Sequence, residues 1–265
     1  MNEYGTPDIQ VTIGGQVMPA IASVSVVADR RTPIARAEIE LDRDRDAASD
    51  VTEQDPLEVA LGFRGQVLRR VFRGRVHGTG PERLVGVTAL DRMRELQGVR
   101  IRQAWRNANA QDVLAWSMRK AGVESFRLGA VQTSARHLFI AANEGFVDVV
   151  RRVRDAWSLD WDLSADPEGV VYCMPWAETP WAQAGIQLEL EFGRNMTGFE
   201  PRTGGRTGSC ETFLAPWLWH SHLVSILDQD LWGRWVTVRV ERVEHKVTFK
   251  GSAKGGRTRI EWSMS

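Results

Sequence analysis

The 265-residue chain sets 34 basic against 34 acidic side chains, so its formal net charge is zero, and 43% of its residues are hydrophobic. That balance excludes the strongly basic profile of a nucleic-acid-binding domain, and the ordinary composition excludes a disordered, collagen-like or coiled-coil chain. No apolar run approaches the roughly 20 residues that span a bilayer, and residues 1–5 lack the basic and apolar regions of a secretory signal, so synthesis in a cytosol without a membrane anchor is expected.

Asp8 to Ile13 alternates apolar and polar residues, and Gly14-Gly15 then supplies the positive-φ pair of a two-residue hairpin turn. Ser23 to Val27 and Ala35 to Leu41 keep the period of two, Asp42 to Asp50 reads as a charged loop, and Leu57 to Phe63, Gln66 to Val76 and Arg83 to Leu90 add strand-like runs. Short strands parted by glycine and proline turns predict a small barrel or sandwich over residues 1–92. Then the period changes. Asn109, three residues before Asp112, marks the start of a helix that runs from Asp112 to Ala121 and closes at Gly122. Phe146, Val149, Val150, Val153 and Trp157 form the apolar face of a second helix, with Arg151, Arg152, Arg154 and Asp155 opposite. Ser158 to Ser164 alternates, Asp166-Pro-Glu-Gly169 is turn chemistry, and Val170 to Met174 is a strand, so residues 93–178 predict an α/β piece with a hairpin.

Residues 179–265 are β again, with an irregular insertion around 193–233. Gln187 to Phe192, Trp235 to Phe249 and a last strand bearing Ile260, Trp262 and Met264 follow from alternation, with a turn at Lys254-Gly-Gly256. In the long strand Val236, Val238 and Val240 share one parity, whereas Val243, Val247 and Phe249 share the other. A β-bulge near Glu241-Arg242 is required, or half of these side chains would face water. The fold class is therefore α+β, mainly β: two small barrel-like β domains with an α/β piece between them.

Chemistry-bearing motifs are scarce. Gly251 to Thr258 has the wrong spacing for a phosphate cradle and reads as a turn. Cys173 and Cys210 are expected as free thiols, and Gly208-Ser-Cys-Glu211 is no nucleophile elbow. His220 and His222 stand at i and i+2, where an extended strand aims both imidazoles the same way, and a metal would draw a third ligand such as His245 or Asp228. The ordinary reading of that pair is a polar edge beside Trp217-Leu-Trp219. No catalytic residue, bound metal or cofactor is expected. Two compositional features remain: 30 Arg against 4 Lys, and 11 Trp, of which nine follow residue 150. Trp157 and Trp161 have core-like spacing. Trp176 and Trp181, and Trp217 and Trp219 after Pro216, fall in irregular segments and are the interface candidates.

The order of parts and several phrases resemble the phage late control protein D family, the baseplate hubs of contractile tails, related in fold to the N-terminal hub part of type VI secretion VgrG spike proteins. The phrases are Leu61-Gly62 followed by Val71 to Val76, Val85 to Leu96, the helix from Gln111 to Gly122, Gly145 to Val150 running into Leu159-Asp-Trp161, and Trp235 to Val247 with its Val-Glu-His. Residues 193–233 fit least well. The resemblance implies a homotrimer in which two barrels per subunit make a pseudo-sixfold ring, joining a sixfold tail tube to a threefold spike. It implies as partners the tail tube or a distal tube-initiator protein, the central spike protein, the tape-measure protein and baseplate wedge proteins. It also implies a virion location in the tail baseplate, after synthesis in the host bacterial cytoplasm. A hub or spike-base component of a secretion or tail-like injection system is the alternative, and a tail-associated cell-wall hydrolase a further one.

Overall fold

Among the described residues seven strands precede residue 92 in the computed structural model: β1 (Pro7–Ile13), β2 (Gln16–Val17), β3 (Ile21–Asp29), β4 (Arg36–Leu41), β5 (Pro56–Phe63), β6 (Arg69–Thr79) and β7 (Val85–Asp91). The structure describes residues 5–41, 51–79, 85–228, 232–249 and 255–264; the expected charged loop from Asp42 to Asp50 and residues 250–254 of the expected last turn lie outside them. Gly14 and Gly15 have φ of 60° and 86°, and Thr12 faces Val17, which is the two-residue hairpin that the sequence demands. Along β3 and β4 burial alternates residue by residue, with Val24, Val26, Ala28, Ala37, Ile39 and Leu41 turned into the core.

Residues 92–183 form a compact unit. It holds α1 (Arg92–Gly98), β8 (Arg100–Ala108), α2 (Ala110–Lys120), β9 (Phe126–Leu128), β10 (Arg136–Gly145), α3 (Phe146–Trp157), β11 (Asp162–Ala165), β12 (Val171–Met174) and the short α4 (Pro180–Gln183). Asn109 caps α2 in a reciprocal box: its side chain accepts the Asp112 N–H at 2.8 Å, and the Asp112 carboxylate accepts the Asn109 N–H at 3.2 Å. The helix therefore begins two residues earlier than its apolar period indicates. Val113, Leu114 and Met118 of α2 are buried, as are Phe146, Val149, Val150 and Val153 of α3. Strands β8 and β10 form an antiparallel ribbon of their own, while β12 lies between antiparallel β11 and parallel β9. Neither α1 nor the ribbon is foreshadowed by hydrophobic period.

The second unit combines residues 1–91 with 184–265, which contribute β13 (Ile186–Glu191), β14 (Met196–Arg202), β15 (Thr207–Phe213), β16 (Leu223–Asp228), β17 (Arg234–Thr248) and β18 (Gly255–Met264). Among the described residues its ladders form one large, open, mainly antiparallel sheet of 13 strands, in the order β14-β15-β18-β17-β3-β4-β7-β6-β5-β1-β2, with β16 also on β17 and β13 parallel to β16. Strand β17 joins the two halves. Its residues 234–239 pair with β16 and its residues 242–248 with β3. Against β18 the register shifts between Val240 and Arg242, so Glu241 is the extra residue of the expected bulge. Val238, Val240, Val243 and Val247 are all fully buried as a result. Each is worth roughly 1.5–3 kcal/mol against exposure, which makes a slipped register untenable.

Gly74 in β6 lies so close to β7 that an added Cβ would overlap the Leu90 carbonyl, whereas Gly86 has open space at the same atom. Gly74→Ala is expected to lower stability by about 1–3 kcal/mol, and Gly86→Ala to change it by less than about 0.5 kcal/mol, as read from urea denaturation midpoints.

Candidate functional site

The irregular segment from Leu214 to His222 is buried except for Trp217, which is half-exposed. A buried loop must find partners for backbone groups that no ladder serves. Here histidines and Thr258 supply them. The Thr258 hydroxyl accepts the Ala215 N–H at 2.8 Å and lies 3.0 Å from His245 Nδ1. His245 Nε2 is 3.0 Å from the Leu218 carbonyl, an acceptor only, so Nε2 carries the proton and Nδ1 accepts from Thr258. His222 Nδ1 accepts the Trp219 N–H at 2.9 Å. Ser221 N–H donates to the Val240 carbonyl at 2.7 Å, and Val240 N–H donates to the His222 carbonyl at 2.9 Å, which straps the segment to β17.

Burial pushes His222 and His245 down to about 4. Burial, with the neighbouring His222 and Arg30, pushes His220 down to about 3. All three imidazoles are neutral at physiological pH. His220 Nδ1 lies 3.1 Å from the Ser221 hydroxyl. His245, one of the two third ligands weighed for His220 and His222 beside Asp228, is committed at both nitrogens. Among the described residues no group of three or more His, Cys, Asp or Glu side chains is placed to hold a metal ion. Cys173 and Cys210 are buried free thiols; burial pushes Cys173 up to about 12 and raises Cys210 as well, so neither is a thiolate nucleophile.

Beside this segment, the buried Glu241 carboxylate receives Arg30 Nε at 2.9 Å, Arg239 Nε at 3.1 Å and the Ser263 hydroxyl at 2.5 Å. Burial works to raise this acid, but the hydrogen bonds from Ser263 and Arg30, and the charges of Arg30 and Arg239, hold it below the usual range. The Arg30 N–H also donates to the Glu241 carbonyl at 2.9 Å. On the outer face of β14, β15 and β18, a groove of about 510 Å³ is lined by residues that include Glu200, Glu211, Arg257 and Arg259. Its charges are matched in pairs, Arg257 to Glu211 at 2.8 Å and Arg259 to Glu200 at 3.7 Å. These surface pairs suit a solvated wall; no carboxylate there is set apart for acid or base work.

The tryptophans divide. Trp181 is buried against Tyr172, with ring centroids 4.9 Å apart, and Thr179 caps its short helix by accepting the Ala182 N–H. Trp219 is buried beside His220. Burial within the chain takes both out of reach of a partner, because an irregular backbone is no sign that its side chains face outward. Trp176 and Trp217 are half-buried, Trp217 next to Phe213. Sequence reasoning missed the β8–β10 ribbon, although Arg100, Arg102 and Arg106 at alternate positions are a period-two signal in polar form.

No protein-family model matches the chain, and no curated protein matches it in sequence. Solved structures do. The 43 kDa tail protein of prophage MuSo2 from Shewanella oneidensis is similar over 98% of both chains, with a TM-score of 0.76 at 11% identity. A tail protein from Neisseria meningitidis MC58 is similar over 98% of this chain and 97% of its own, with a TM-score of 0.73 at 11% identity. The fold is the one these tail proteins share. The Escherichia coli c3393 protein, a type VI secretion component with structural similarity to the T4 tail proteins gp27 and gp5, is similar over 96% of this chain and 76% of its own, with a TM-score of 0.63 at 12% identity.

Each buried histidine is neutral in the folded chain but takes up a proton below about pH 6.5 when unfolded, so the unfolded state binds more protons between 6.5 and the folded values. Their contribution is complete above pH 6.5 and is lost as pH falls toward about 4. Urea midpoints are expected to be flat above pH 7 and to drop steeply between pH 6 and pH 4.5. Replacing Glu241 by alanine removes the buried carboxylate that receives Arg30, Arg239 and Ser263 and is expected to cost on the order of 3 kcal/mol, with Glu241→Gln milder, by the same measurement.

Proposed function

We propose that the chain is a structural hub of a phage tail, acting as a homotrimer that joins a sixfold tail tube to a threefold central spike around an axial channel. The observation that carries this reading is the likeness to two tail proteins, one of them from a prophage, over nearly the whole of each chain. The sheet supports it further. Strands β3, β4, β7, β6, β5 and β1 form one run and β16, β17, β18, β15 and β14, with β13, another, and among the described residues their ladders join where β17 meets β3. Read as two curled barrels per subunit, over about 1–92 and 179–265 with the α/β piece of 93–178 between them, three copies present six similar units to the tube and three subunits to the spike. The partners that follow are the tail tube or a tube initiator, the spike, the tape-measure protein and baseplate wedge proteins, in the tail baseplate of the virion. Of the four tryptophans that the sequence singles out, Trp176 and Trp217 are the ones left half-exposed for subunit contact. The role is mechanical, with no catalytic residue assigned.

The likeness to a type VI secretion component favours a second setting for the same architecture, as the hub or spike base of a secretion apparatus. Copy number and location separate these readings from others. A reconstruction of the assembled particle is expected to show three copies of the chain around the axis, between tube and spike. A chain that stays monomeric by sedimentation with tube and spike proteins present would refute the hub reading. Spike-loaded effector release rather than DNA delivery would select the secretion setting.

A further inference from the structure

We propose that the outer face of the β8–β10 ribbon is a docking surface for a protein partner that presents carboxylates around an aliphatic centre. This goes beyond the hub reading and does not depend on it. Along the ribbon Arg102 faces Ala142, Ala104 faces Ile140 and Arg106 faces Leu138, and Arg100 has the same parity as Arg102. These side chains are exposed, Leu138 by 48% and Ile140 by 46%. The other face is core: Trp105 and Phe139 are buried, their rings 5.8 Å apart, and Trp116 meets Trp105 edge-on at 5.3 Å. A two-stranded ribbon thus buries its aromatic side and leaves an aliphatic strip on its other side.

The charges flanking that strip are unspent. No Asp or Glu occurs from Arg100 to Ala108 or from Arg136 to Asn143. Among the described residues Arg100, Arg102 and Arg106 form no ion pair, in contrast with Arg257, Arg259 and Arg152, which each hold a glutamate. Across the ribbon each arginine is opposed by a small or aliphatic residue, where a solvated face would gain from an opposite charge. Guanidinium forks favour carboxylates in bidentate geometry, and Arg102 and Arg106 are about 13 Å apart at about 3.3 Å per residue. The partner's carboxylates therefore bracket its aliphatic residues at a similar span.

The ribbon's backbone argues for contact across the face rather than strand addition at an edge. Arg152 donates to the Ile140 carbonyl at 3.0 Å, the Ala142 N–H donates to Glu144 at 3.2 Å, and Gln103 Nε2 donates to the Ala104 carbonyl at 2.9 Å. Side chains have already taken these groups. A nucleic acid fits less well, because phosphates would meet the arginines and leave Leu138 and Ile140 in water.

The test uses the full chain and fluorescence anisotropy with four probes: an extended peptide of six Glu-Leu repeats, its Lys-Leu and Glu-Ser counterparts, and a 20-nucleotide DNA. The Glu-Leu peptide is expected to bind, more weakly as salt rises, with Glu-Ser at least tenfold weaker and Lys-Leu not bound. Arg102→Glu with Arg106→Glu, and separately Leu138→Ser with Ile140→Ser, are each expected to weaken Glu-Leu binding at least tenfold. These side chains are exposed, and an unchanged circular dichroism spectrum confirms that each variant folds. No binding of the Glu-Leu peptide, equal binding by the variants, or DNA bound more tightly than the peptide and released by the arginine changes alone would overturn the proposal. A trimer lacking ribbon binding would sink this proposal and leave the hub reading standing; a monomer that binds the peptide would do the reverse.

Discussion

A single strand, β17, carries the sheet from one half of its unit into the other, and the extra residue at Glu241 is what lets it do so. Its first six residues pair with β16 and its last seven with β3, and both sets must bury valines on the core side. Strict alternation cannot meet both demands. Inserting one residue resets the parity but leaves a backbone carbonyl outside the β17–β18 ladder and a side chain pointing into protein. The Arg30 N–H takes the carbonyl, while the Arg30 and Arg239 side chains and the Ser263 hydroxyl take the carboxylate. Arg30 lies just past the end of β3, so one of the groups that satisfy the bulge comes from beside the strand that β17 is turning to meet, and the others come from β17 itself and β18.

The buried segment from Leu214 to His222 depends on the same strand. Its backbone is tied to Val240 on one side of the bulge, and its Leu218 carbonyl to His245 on the other. Histidine is suited to this task because a neutral imidazole offers one donor and one acceptor on a rigid ring. His245 uses both, linking Thr258 of β18 to the segment. His222, one of the two histidines weighed in the sequence as metal ligands, serves with His245 as a hydrogen-bond partner for a loop that has left water.

Zero net charge conceals two kinds of surface. On the outer face of β14, β15 and β18 arginines and glutamates neutralise one another across strands, which leaves a hydrated wall with little preference for a ligand. On the β8–β10 ribbon Arg100, Arg102 and Arg106 form no ion pair among the described residues and share a face with exposed leucine and isoleucine. The prominence of arginine over lysine matters more in the second setting, where planar bidentate contact is available, than in the first.

The helices α2 and α3, the Gly14-Gly15 hairpin and the bulge in β17 were legible in the sequence, because each rests on local chemistry or on parity within one segment. The ribbon was not, since Ala104, Leu138 and Ile140 put apolar residues on its exposed face as well as its buried one, which blurs the hydrophobic alternation. Nor was the burial of Trp181 and Trp219, whose irregular backbones suggest surface until Tyr172 and the histidine cluster are in place. By itself the sequence determined the strands with clear alternation, the helices α2 and α3, and where parity must break. Only the tertiary structure decided the duties of His222, His245 and Glu241. Their partners lie at positions such as Leu218, Arg30, Thr258 and Ser263, and hydrogen bonds between residues so far apart in sequence leave no periodic trace in it.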